Sequence, residues 1–114
     1  MASTKTLIEL QTEALGILTG LDSNQDPAPE DLNTIGVYVD PLVAQLSKDE
    51  IVYIDNTNAI AQEYFLPLAR LLANVAGPRF GSPMNEDAKQ TDEKALRRMT
   101  ASKPTYEVLK AVYF

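Results

Sequence analysis

A chain of 114 residues with 45% apolar and 23% charged positions suits one globular domain, with a core that needs no staples. It holds no Cys and no His, which excludes disulfides, thiolate chemistry and any mechanism built on a Ser-His-Asp or Cys-His pair. The net charge of −6 opposes binding along a phosphate backbone, and no apolar run approaches the ~20 residues of a membrane span.

The opening, MASTKTLIEL, lacks a basic region followed by an apolar core, so no secretory signal is expected. Residues 4–19 predict a first helix: Leu7, Leu10, Ala14, Ile17 and Leu18 recur at helical spacing. Ser3 or Thr4 would cap its start and Gly20 its end. The loop GLDSNQDPAPED follows, and Pro29 suits the first turn of a second helix. That helix is expected over 29–46. Its stripe (Leu32, Ile35, Val39, Leu42, Leu46) stays in phase across Pro41, which favours one kinked helix over two.

The contiguous Ile51, Val52, Tyr53 and Ile54 predict a short strand or extended link. Residues 59–76 predict the central helix, apolar around most of its girth. Pro67 either sits inside it or marks its true first turn after a short helix at 59–65. Phe80 is expected to pack back on it. Residues 86–100 predict a polar helix whose thin face is Ala88, Thr91, Ala95 and Met99, with Leu96 beside them. Lys103-Pro104 breaks it, and an apolar end, residues 103–114, follows. The fold class is mainly α: a small bundle of three to five helices with a short extended segment. The helical domain is placed at 1–102, and 103–114 forms an extended or partner-docked C-terminal tail.

Catalysis finds little support. The paired carboxylates Glu30/Asp31, Asp49/Glu50, Glu86/Asp87 and Asp92/Glu93 fall at expected helix starts or in polar loops, where dipole and solubility explain them. None has the spacing of an acidic calcium loop, and the five glycines form no phosphate cradle. No enzyme activity, cofactor or metal is expected. Charge is uneven: residues 1–57 hold Lys5 and Lys48 against ten acids, net −8, while 58–114 hold eight bases against six acids, net +2. Such a bipolar subunit could set acidic Glu30 and Asp31 against a neighbour's basic Arg79, Arg97 and Arg98.

The order of elements resembles the small head-to-tail connector proteins of tailed bacteriophages, also described as head-completion or tail-accessory factors. The likeness runs through ALGILTG, PEDLNTI, IVYID, IAQEYFLPLARLLANVAGPRFG and ALRRM to the aromatic end. It is a pattern of apolar positions, most specific from Ile60 to Gly81 and at Leu96-Arg97. The resemblance implies a virion protein assembled in the host cytoplasm. It implies a ring, commonly of twelve copies, beneath the portal protein. Such a ring extends the DNA channel, holds DNA only as non-specific contents and offers a platform to tail proteins, with no membrane involved. The alternative is a small helical interaction module, such as a regulatory adaptor, of non-phage function.

The tail carries the open question. Seven of its last nine positions are apolar or aromatic. As a helix it groups Tyr106, Leu109 and Tyr113; as a strand it groups Tyr106, Val108, Val112 and Phe114. These side chains either seal the central helix at Leu68 and Leu72 or leave the subunit for another chain. With the resemblance, Tyr106, Leu109, Val112, Tyr113 and Phe114 are read as partner-binding.

Overall fold

The computed structural model describes residues 4–20 and 27–102, with backbone only at 101 and 102. The described residues form five α-helices, one 3₁₀ turn and a two-stranded ladder. The mainly helical expectation holds. Strand β1 (Thr4–Lys5) pairs antiparallel with β2 (Ile60–Ala61), Thr4 opposite Ala61 and Lys5 opposite Ile60.

Helix α1 (Leu7–Thr19) therefore starts later than expected, because Thr4 and Lys5 are used in the ladder. Thr6 takes over the cap. Its hydroxyl accepts from the Glu9 N–H at 3.2 Å, and the Thr6 N–H donates to Glu9 Oε1 at 2.8 Å. That backbone N–H, with the Thr6 hydroxyl and Lys5, holds the Glu9 carboxyl below its ordinary pKa. A depressed folded pKa adds stability above the ordinary carboxylate range, lost as pH falls through the folded value. Glu9→Gln is accordingly expected to lower the urea midpoint at neutral pH and leave it unchanged in acid. Gly20 ends the helix at φ +70°, as expected, its N–H donating to the Gly16 carbonyl.

The single kinked helix over 29–46 is overturned: α2 (Pro29–Gly36) and α3 (Val39–Lys48) are separate, divided by Val37 and Tyr38. Pro41 is the third residue of α3, where a missing N–H costs nothing because the first turn has no helical acceptor for it. The stripe survives the break, since Ile35, Val39, Leu42 and Leu46 are all buried.

The C-terminus of α3 carries an unanticipated Schellman motif. The Glu50 N–H donates to the Ser47 carbonyl at 3.1 Å and the Ile51 N–H to the Leu46 carbonyl at 2.9 Å. Glu50 occupies the left-handed position at φ +57°, which favours glycine. Glu50→Gly is expected to raise stability by about 1 kcal/mol, read as an increase in denaturation midpoint. Residues 52–54 are an extended link without a strand partner; Val52 and Ile54 point inward while Tyr53 is 71% exposed.

The central helix α4 spans Gln62–Ala76 and runs unbroken through Pro67, without a short helix before it. Ile60 and Ala61 were expected inside it but form β2 instead. Nine of its fifteen residues are buried, Leu68, Leu71 and Leu72 completely. It is the element on which the others converge: α1 and α5 (Glu86–Ser102) lie along it, and α2 and α3 touch it more lightly. The 3₁₀ turn Gly77–Phe80 follows, with Phe80 packed against the core as expected. A Cβ on Gly77 would stand 2.8 Å from the Ser82 carbonyl oxygen. Gly77→Ala is expected to cost about 1–3 kcal/mol by equilibrium unfolding, because backbone must move to admit it.

The face of α5 differs from expectation. Ala88 and Thr91 are exposed; Leu96 is completely buried, Ala95 and Met99 are half-buried, and Asp92 is 6% exposed. Leu96, the larger apolar group, turns the helix inward on its own side. Asp92, one turn earlier, is carried in with it.

Candidate interaction surface

Two side-chain contacts hold the start of α1 and the strand before it against the segment that leads into α4 and its first turn. The Asn58 amide oxygen accepts from the Leu7 N–H at 3.4 Å, and the Lys5 ammonium lies 5.5 Å from the centroid of Phe65. Ile17 and Leu18 near the end of α1 come to Ala73 and Asn74 near the end of α4.

Helix α5 runs the opposite way. The Asn74 side chain both donates to the Asn85 carbonyl (2.7 Å) and accepts from the Asn85 N–H (2.8 Å). The Asn85 side chain in turn accepts from the Ala88 N–H at 3.0 Å, capping α5. One turn further, Arg70 Nε donates to Asp92 Oδ1 at 3.0 Å. This charge-assisted bond satisfies a carboxylate that burial would otherwise penalise.

Between α1 and α5, with α4 as floor, lies an open groove of about 240 Å³. Ile17, Leu18, Ala73, Pro83 and Ala88 give it an apolar lining, with the Arg70–Asp92 pair at one side. Ile17 is 48% exposed there. On the same face of α4, one turn before Arg70, Leu66 is 53% exposed. A second open cavity of about 400 Å³ lies where α2 ends, lined by Asn33, Thr34, Val37, Tyr38 and Arg79.

The expected charge-contact residues scatter over this framework. Arg97 reaches across to α3, Nη2 donating to the Asp49 carbonyl at 3.4 Å, and Arg98 beside it is exposed. Arg79 is exposed next to α2, the helix whose first turn holds Glu30 and Asp31. Residues of the acidic and basic halves of the sequence thus meet at these two places. Tyr106, Leu109, Val112, Tyr113 and Phe114 lie outside the described residues.

The groove was not read from the sequence. Its signals were Arg70 interrupting an apolar helix and Asp92 lying one turn before Leu96; only the fold shows that they meet. Among the described residues, no group of three or more acids could hold a metal ion, and no helix is long and apolar enough to cross a membrane. Compared with protein-family models, curated proteins and solved structures, the chain matches none.

Proposed function

We propose that the chain is a non-catalytic structural subunit of a phage head-to-tail connector, forming a ring under the portal that extends the DNA channel and joins head to tail. The observation that carries this reading is a division of labour along the chain. Residues up to Ser102 already build a core around α4 in which Leu68, Leu71, Leu72 and Leu96 are completely buried. The segment beyond then adds Tyr106, Leu109, Val112, Tyr113 and Phe114, an apolar set suited to another chain. The helix order and the aromatic end resemble connector proteins, and exposed Arg98, Arg79 and Glu30 offer charges for contacts between copies in a ring.

Mass spectrometry of purified particles, from a phage lysate in which this chain is made, tests the reading. The chain is expected in the particle at a ring's copy number, together with portal and tail proteins. Absence from particles, with recovery on a host protein instead, would establish the regulatory-adaptor alternative.

A further inference from the structure

The groove between α1 and α5 lacks a partner among the described residues, and the chain itself supplies a candidate. Helix α5 runs antiparallel to α4, so Ser102 lies at the end of the bundle where α4 begins, the half of α4 that also carries exposed Leu66. The groove opens further along the same face, at Ala73 and Ala88. From Ser102 back to the level of Ala88 is fourteen residues of helix, about 21 Å at 1.5 Å per residue. Twelve residues follow Ser102 in the sequence, enough for about 40 Å if extended. Lys103-Pro104 disfavours helical continuation of α5. That segment carries side chains an apolar groove accepts: Tyr106, Leu109, Val112, Tyr113 and Phe114.

We infer that residues 105–114 dock back into the α1–α5 groove of their own chain when the subunit is alone. Tethering favours this over capture by a second copy, because a short linker gives an effective concentration in the millimolar range. The contact need only be weak to be occupied, and a stronger partner can displace it. The docked segment covers Ile17 and Leu66, and it keeps its own aromatics from premature association. The docking concerns the isolated subunit and stands or falls separately from the connector reading.

The absence of cysteine makes the test direct. A nitroxide is attached at Lys110→Cys, a position outside the apolar set, and amide signals of ¹⁵N-labelled protein are recorded with the label oxidised and reduced. The signals of Ala73, Asn74 and Ala88 are expected to be lost in the oxidised sample. They are expected to persist when the nitroxide and ¹⁵N are placed on separate molecules and mixed. Ala88→Arg, a substitution at an exposed position that fills the groove, is expected to restore the Ala73 and Asn74 signals with the helical circular dichroism unchanged. Signals unaffected by oxidation, or insensitive to Ala88→Arg, would overturn the inference. Loss in the mixed sample would overturn it too, by assigning the groove to a second copy.

Discussion

Replacing Leu72 with alanine is expected to destabilise the domain by about 2–5 kcal/mol, the range for removing a fully buried leucine. Leu72 is completely buried on α4, the helix against which α1, α2, α3 and α5 all pack. Its loss opens a cavity where relaxation on one side pulls against packing on the other, which argues for the upper part of the range. A domain of this size holds only about 5–15 kcal/mol in total, so much of the margin disappears. Thermal unfolding followed by circular dichroism should show a midpoint lowered by more than about 10 °C. The matching change at Leu66, also on α4 but 53% exposed, should move the midpoint far less.

Ending the chain at Ser102 is expected to have the opposite profile: little effect on folding and complete loss of assembly. The buried cluster is built from residues between Leu10 and Leu96, and α5 is anchored by Asn74–Asn85 and Arg70–Asp92 well before its C-terminus. A segment outside that cluster is expected to contribute less than about 1 kcal/mol to unfolding. Its aromatics, by contrast, are the class of residue that dominates binding between chains. If the shortened chain instead unfolds, residues 103–114 belong to the core and both the domain boundary and the partner-binding assignment fall.

The helical architecture was legible wherever one signal dominated. Gly20 as the stop of α1 and the greasy girth of α4 appear as their spacing predicts, and the stripe of α1 does so in part: Leu10 and Ala14 are buried, but Ile17 is exposed and Leu15 takes the inward place. Expectation and structure part where a local rule has two solutions. Pro41 is compatible with a kink or with a first turn; the apolar phase is the same in both, so periodicity could not choose. Ile60 and Ala61 suit a helix by pattern, yet a two-residue ladder with Thr4 and Lys5 claims them, and such a pairing across more than fifty residues leaves no local trace. Asp92 shows the same limit. A carboxylate in a polar helix reads as solvent-facing until Arg70 from another helix covers it. The groove was hidden for this reason, since its walls come from three helices distant in sequence.

In the proposed assembly, one folded domain presents a separate apolar segment to a portal. The most direct measurement compares the full chain with residues 1–102 on isolated portal rings from the same phage, viewed by electron microscopy. An added ring of density beneath the portal is expected with the full chain, and bare portals with the shortened one. Equal decoration by both chains, or bare portals with the full chain, would contradict it.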